Sequence, residues 1–133
     1  MKNGPPLISY DTLIRQLKYE DPYIRGCAAS SLGNYIHSDA APVLREIARD
    51  KSAWVRGWVI YALGVLGNSS VVPDILAALR DSSPWVRTNA AWSILQLRES
   101  LEILASLDKD PDTGVRAFAK YARKILSTDN LQS

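Results

Sequence analysis

A five-residue pattern recurs four times along the chain at an almost constant interval. Its copies begin with Asp or Ser and end with arginine, and they are Asp21–Arg25, Ser52–Arg56, Ser83–Arg87 and Asp112–Arg116. The arginines follow one another after 31, 31 and 29 residues. A period of this length indicates that the chain stacks copies of one supersecondary unit, and this fixes the architecture more firmly than local propensity does.

The residue that opens each copy is of a type that caps helices, because its side-chain oxygen accepts a free N–H of the first turn. Pro22 and Pro84 follow their caps directly, where the missing N–H of proline costs nothing. The pattern therefore predicts the second helix of each repeat, at Pro22–Ile36, Ala53–Leu66, Pro84–Leu97 and Thr113–Leu126. A first helix is expected ahead of each, at about Leu7–Tyr19, Pro42–Arg49, Pro73–Arg80 and Leu101–Leu107. Gly67 is predicted to end its helix in the left-handed conformation.

These elements predict an all-α fold, an α-solenoid (α-α superhelix) of four helix pairs, or about eight helices. No strand is predicted, since the sequence has no alternation of period two. We expect one domain over residues 1–133, with repeats at about 7–38, 39–69, 70–99 and 100–127. In the last helix Lys120, Arg123 and Lys124 replace the small or apolar residues of earlier repeats, which predicts a polar terminal cap. The tail from Ser127 onward is expected to be loose.

Composition excludes several classes of function. The net charge of +2 is too small to indicate a nucleic-acid or membrane partner, and no apolar run approaches a membrane span. Cys27 is the only cysteine, so a disulfide within the chain is excluded and a reducing cytoplasm is favoured. We expect Cys27 to be small and buried. Because His37 is the only histidine and no phosphate-binding or nucleophile motif occurs, we predict no metal site, no cofactor and no catalytic residue.

The second-helix sequences resemble a known family. The pattern Asp-Pro-x-Val-Arg-x-x-Ala-Ala-x-x-Leu-Gly is matched over Asp21–Gly33, and in part by Trp54–Gly64 and Ser83–Ala91. It is similar to the short HEAT-like repeat of the phycobilisome lyase type. The resemblance implies a structural ladder between repeats, made by Arg25, Arg56, Arg87 and Arg116 with Asp50, Asp81 and Asp110, each aspartate six residues before an arginine. The alternative, a basic stripe for phosphates, is disfavoured because the acidic neighbours would neutralise it.

Two stripes run along the second helices when positions are counted from the arginine. Positions −1, +3, +7 and +10 are mostly apolar and predict the core. Positions −2, +1, +2, +5 and +9 hold eight of the eleven aromatic residues, including every tryptophan. In solenoids of the resembled family this second stripe faces the concave surface. The predicted partner-binding residues on it are Tyr23, Trp54, Trp58, Tyr61, Trp85, Asn89, Trp92, Gln96, Phe118 and Tyr121.

Eight half-exposed aromatic side chains would present at least about 600 Å² of apolar surface, as much as the largest patch on most monomers. Trp54 and Trp85 lie in first turns and are expected to be the most accessible. The sequence therefore predicts a non-enzymatic binding module or scaffold that holds a protein or peptide partner on this stripe. In the alternative structure, the rings pack on one another and only seal the core.

Two other functions stay open at this stage. The family resemblance and the large flat rings are compatible with a bilin lyase-like or tetrapyrrole-handling role. Nucleic-acid binding, with rings stacking on bases, is a further alternative. It is disfavoured because the aromatic stripe carries no Lys or Arg. Self-association through the aromatic stripe is compatible with each of these functions.

Overall fold

The computed structural model describes residues 8–34, 40–67, 69–98 and 101–132. Within these ranges the chain forms eight α-helices, one 3₁₀ turn at Ser69–Val71 and no strand. The helices are α1 (Tyr10–Gln16), α2 (Pro22–Leu32), α3 (Ala40–Ile47), α4 (Ala53–Leu66), α5 (Val72–Ala78), α6 (Pro84–Leu97), α7 (Leu101–Ala105) and α8 (Thr113–Gln132). Each odd-numbered helix packs on the even-numbered helix that follows it, and α2, α4, α6 and α8 pack on one another in that order. The predicted all-α solenoid is confirmed.

Local signals explain where the second helices start and stop. Asp21 Oδ1 accepts a hydrogen bond from the N–H of Tyr23 at 2.8 Å, and Asp112 Oδ1 accepts one from Val115 at 2.9 Å. Ser83 has the extended backbone of an N-cap, but its hydroxyl makes no cap hydrogen bond, so the predicted side-chain cap is absent there. Gly67 has φ = 69° and ends α4 in the left-handed conformation, as predicted.

Several predicted helix bounds need correction, although α4 and α6 match the predicted ranges. The helix α1 is shorter than expected, because Ser9 caps it and the chain turns after Leu17. The helix α8 continues to Gln132, so the expected loose tail is helical there. No glycine or proline follows Gly114 to stop it. The predicted ends at Leu7 and Ile36, and His37, lie outside the described residues.

The predicted core stripe is buried along the stack. At position +7, Leu32, Leu63 and Ile94 have no exposed surface. Neighbouring second helices approach closely because position +8 is small in the first two repeats. A Cβ on Gly33 would lie 2.9 Å from Cα of Ala62, and one on Gly64 would lie 2.4 Å from Oγ of Ser93. Such close approach fixes the register of adjacent repeats.

Arginine–aspartate pairs, here called the arginine ladder, connect consecutive repeats. Nε and Nη2 of Arg25 donate to the two carboxylate oxygens of Asp50 at 2.9 and 3.0 Å. Arg56 pairs in the same way with Asp81 and Arg87 with Asp110. Each aspartate lies six residues before the arginine of its own repeat, but its carboxylate pairs with the arginine of the preceding repeat. Its main-chain carbonyl accepts from the later arginine, as Asp50 does from Arg56.

The paired aspartates have shifted pKa values. Partial burial alone would raise the pKa of Asp50 and Asp81, but hydrogen bonds from the paired arginine and from a main-chain N–H hold each pKa below its ordinary value. For Asp110 the hydrogen bonds from Arg87 are the main cause of a lowered pKa. Ionised aspartate is therefore the form that the folded state stabilises, so the ladder is strongest when these carboxylates carry charge.

Candidate binding surface on the second helices

Three aromatic rings form a continuous stack across the first three repeats. Tyr23, Trp54 and Trp85 are each the second residue of their helix, and we call them the ring stack. The Tyr23 and Trp54 centroids are 6.2 Å apart with an interplanar angle of 8°, and those of Trp54 and Trp85 are 5.9 Å apart at 12°. The three side chains are 64%, 39% and 38% exposed, in that order. The stack is therefore ordered by ring contacts and still reachable from solvent.

A glycine on the preceding helix makes room for each tryptophan of the ring stack. A Cβ on Gly26 would lie 2.6 Å from Nε1 of Trp54. A Cβ on Gly57 would lie only 1.9 Å from Nε1 of Trp85. Both glycines are at position +1 and directly face position −2 of the next repeat. The indoles therefore lie flat against bare helix backbone, which only glycine permits at such distances.

The same two positions change together at the last repeat. Position +1 of the third repeat is Thr88, and position −2 of the fourth is Gly114. A Cβ on Gly114 would meet a single neighbour, Oδ1 of Asp112 at 3.1 Å, with nothing else within 4 Å. Earlier steps pair a glycine at position +1 with an aromatic residue at position −2, whereas this step pairs Thr88 with Gly114. The ring stack consequently ends at Trp85.

A second set of rings lies beside the ring stack. Trp58 makes edge-to-face contacts with Trp54 at 5.5 Å, with Trp85 at 5.6 Å and with Tyr61 at 5.3 Å. Tyr61 in turn stacks on Trp92 at 4.6 Å. Trp58, Tyr61 and Trp92 are half-buried. Together with the ring stack they form one connected aromatic face, so six rings from three repeats are held in fixed relative positions.

The indole N–H of Trp58 is buried and has no hydrogen-bond acceptor within the part of the chain that the structure describes. Three ring contacts surround this indole instead. Edge-to-face geometry places the positive edge of one ring against the negative face of another, and this offsets part of the lost hydrogen bonding. Trp58 is thus a support for the aromatic face and offers less surface to a partner than Trp54 and Trp85 do.

The remaining predicted site residues separate into two groups. Gln96 is exposed, Tyr121 is 57% exposed, and the Phe118 and Tyr121 rings are 6.1 Å apart. Asn89 is only 7% exposed, and its side-chain amide donates to the carbonyl of Trp85 at 2.8 Å. Asn89, a predicted contact residue, is therefore buried and stabilises its own helix, because its side-chain amide finds an acceptor there.

The expectation of a buried Cys27 is wrong. Cys27 is exposed, although it occupies the same position in its repeat as half-buried Trp58. Gly26 and Gly57 are not among the predicted site residues, although they make room for Trp54 and Trp85. Their pairing with Trp54 and Trp85 could have been found by comparing position +1 of each repeat with position −2 of the next.

The aromatic face is neutral and open. None of its six residues is charged. A cleft of about 610 Å³ lies beside the Arg56–Asp81 pair and is also lined by Arg45 and Arg49. That cleft combines acidic and basic side chains, five of which already belong to ion pairs, namely Arg45, Asp50, Arg56, Asp74 and Asp81. No cluster of potential metal ligands and no helix able to cross a membrane occurs in the described ranges.

The paired helices, the constant period and the arginine ladder define a class of protein, the α-solenoids built from short helical repeats. The sequence profile described as HEAT repeats matches residues 9–64 and 46–122. The chain therefore belongs to the HEAT-repeat family. Repeats of this family generally mediate protein–protein interaction and scaffolding. The match covers HEAT repeats in general and does not distinguish the phycobilisome lyase type. A comparison with curated proteins finds no match.

Proposed function

We propose that this HEAT-repeat protein is a non-enzymatic binding module that holds a protein or peptide partner on its aromatic face. The ring stack of Tyr23, Trp54 and Trp85 is the observation that carries the proposal. Exposed Trp and Tyr side chains dominate binding hot spots because they bury a large area with few rotatable bonds. Here their mutual contacts already restrict the rings, so binding a partner would cost less side-chain conformational entropy.

The absence of charge on the aromatic face decides which partners it suits. A neutral, largely apolar segment of a protein or peptide loses little solvation when it covers this face. The rings would contact apolar side chains of the partner. The polar main-chain groups of the partner would stay at the edge of the contact, where water can solvate them. We place this interaction in a reducing compartment such as the cytoplasm, in keeping with the single free thiol of Cys27.

The test compares two aromatic truncations of different location. Trp54→Ala with Trp85→Ala should abolish specific capture of partner proteins from cells of the source organism, identified by mass spectrometry. Tyr19→Ala removes a 48% exposed ring outside the aromatic face and should leave capture unchanged. Helical circular dichroism checks that both variants stay folded. Equal capture by wild type and the double tryptophan variant contradicts the proposal.

A tetrapyrrole-handling role receives less support from the ring geometry. A flat ligand sandwiched between two rings needs roughly 7 Å between them, twice an ordinary carbon contact. The centroids in the ring stack are only 5.9 and 6.2 Å apart, so no gap admits one. A flat tetrapyrrole could instead stack on the outer face of Tyr23. A bilin titration that quenches tryptophan fluorescence and shifts the visible spectrum would favour this alternative.

A further inference from the structure

The arginine ladder follows one rule at its three internal steps. Arg25, Arg56 and Arg87 use Nε and Nη2 to hold the carboxylate of the next repeat at 2.7 to 3.0 Å. In each, Nη1 donates to the main-chain carbonyl six residues earlier, as Arg87 does to Asp81 at 2.7 Å. The carbonyl fixes the guanidinium in place, and its Nε and Nη2 edge then donates two hydrogen bonds to a planar carboxylate.

Arg116 makes the main-chain carbonyl contact of this rule but not the carboxylate contact. Its Nη1 donates to the carbonyl of Asp110, six residues earlier, and Nη2 donates to Oγ1 of Thr113 at 3.2 Å. Among residues 8–34, 40–67, 69–98 and 102–128, whose side chains the structure describes, no carboxylate pairs with the Nε and Nη2 edge of Arg116. The guanidinium is therefore oriented for a fourth bidentate partner that these ranges do not supply.

Two lysines extend the positive charge of Arg116 along α8. Lys120 and Lys124 lie four and eight residues further on, so they share the helix face of Arg116. Both are exposed, and neither forms an ion pair with another described residue, whereas nearby Arg123 pairs with Asp108 at 2.6 Å. We call Arg116, Lys120 and Lys124 the basic end face.

The basic end face corresponds to the surface along which earlier repeats stack. Position +4 is Ala29, Ile60 and Ala91 in the first three repeats, all of them buried. Position +8 includes Gly33 and Gly64, which lie directly against the next helix. In α8 the same two positions carry the lysines. The protein thus presents a solenoid packing surface on which apolar contact has been replaced by positive charge.

We propose that the basic end face docks an acidic peptide segment of a partner protein, with one carboxylate held in the bidentate fork of Arg116. Charge complementarity is the physical basis, since three cations in line have no carboxylate partner among the described side chains. Successive cations are about 6 Å apart along the helix axis, from four residues at 1.5 Å each. An extended chain places every second side chain about 6.7 Å apart on one face. A segment with an acid at alternate positions therefore matches the row.

A second copy of this chain does not fit the role. Its own first repeat has Tyr19 six residues before Arg25, where the later repeats have the ladder aspartates. Only the main-chain carbonyl of Tyr19 takes part in the ladder. Stacking a copy end to end would therefore leave the fork of Arg116 without a carboxylate in ladder register. This docking surface is also separate from the aromatic face, so either proposal can fail alone.

The test uses a fluorescein-labelled 12-residue peptide of alternating Asp and Ser, with a peptide of alternating Asn and Ser as the neutral control. Fluorescence anisotropy should show binding of the acidic peptide only, and weaker binding as salt rises from low to physiological concentration. Lys120→Gln with Lys124→Gln should weaken binding about tenfold. Arg116→Lys keeps the charge but loses the fork and should weaken binding about fivefold.

Matched controls locate the effect. Lys18→Gln and Arg80→Lys make the same chemical changes at exposed positions away from α8 and should leave affinity unchanged. The Trp54→Ala and Trp85→Ala variant should also bind the acidic peptide normally. Thermal melts followed by circular dichroism show whether Arg116→Lys is folded. If it is not, the double lysine variant decides, because those exposed side chains make no ion pair with described residues.

Three results would overturn the proposal. In the first, the wild-type protein does not bind the acidic peptide. In the second, the control variants weaken binding as much as the end-face variants do. In the third, a single-stranded oligonucleotide of equal charge binds as tightly and depends equally on Arg116. That result would assign the face to phosphates in general and would remove the carboxylate specificity that the fork implies.

Discussion

Replacing Gly57 by alanine tests whether the ring stack depends on the bare helix surface beneath it. The new Cβ would lie 1.9 Å from Nε1 of Trp85, 2.4 Å from Cδ1 and 2.7 Å from Cε2. Ordinary van der Waals contact begins near 3.4 Å, so the indole must move by about 1.5 Å. Gly57 lies inside α4, and its backbone is held by the helix. The indole of Trp85 is therefore the part that moves.

The net energy follows from opposing effects. Alanine in a helix interior is favoured over glycine by about 1 kcal/mol. Trp85 is 38% exposed, so roughly 150 of its 250 Å² is buried, and full expulsion would cost about 4 kcal/mol. A shift that loses only the stacking contact with Trp54 would cost about 1 kcal/mol. We expect an intermediate displacement and a net destabilisation of about 1 to 2 kcal/mol.

Denaturant unfolding followed by helical circular dichroism measures the stability change. Near-ultraviolet circular dichroism and acrylamide quenching of tryptophan fluorescence report the ring stack itself. Gly114→Ala is the matched control, because a Cβ there would meet only Oδ1 of Asp112 at 3.1 Å. It should be neutral or stabilising by up to about 1 kcal/mol. The reasoning is refuted if Gly57→Ala is as stable as wild type and keeps its near-ultraviolet signal.

Two further predictions concern the arginine ladder. Asp110→Asn leaves the buried guanidinium of Arg87 without a carboxylate and should lower the free energy of unfolding by about 3 kcal/mol. The control Asp108→Asn affects an exposed pair with Arg123 and should lower it by less than about 1 kcal/mol. Equal losses of stability in denaturant unfolding would contradict this prediction. Acid should destabilise the fold. Since Asp50, Asp81 and Asp110 have lowered pKa values, their contribution is complete above the unfolded-state pKa of about 3.9 and is lost as pH falls through the lower folded-state values. If the free energy of unfolding does not decrease as the pH is lowered from about 5 to about 2, the ladder does not have this role.

Patterns in the sequence are enough to predict the repeated helix pairs, the core stripe and the bounds of α4 and α6. These features depend on short-range physics. A cap accepts N–H groups within its own first turn, and a period of 3.6 residues places apolar groups on one face whatever lies beyond. Gly67 could be predicted as a left-handed stop for the same reason. The predicted bounds were wrong where the residue that caps the helix, such as Ser9 at α1, lies outside the repeated pattern.

The contacts between groups of different repeats depend on how the repeats pack, so the folded structure is needed to identify them. Sequence spacing alone did not show that Asp50 pairs with Arg25 instead of Arg56, because that depends on how one repeat is displaced relative to the next. The exposure of Cys27 and the burial of Asn89 were decided in the same way, by what the adjoining helices bring near them. Burial and pairing are properties of two surfaces together, and the position of a residue in its own helix specifies just one of them.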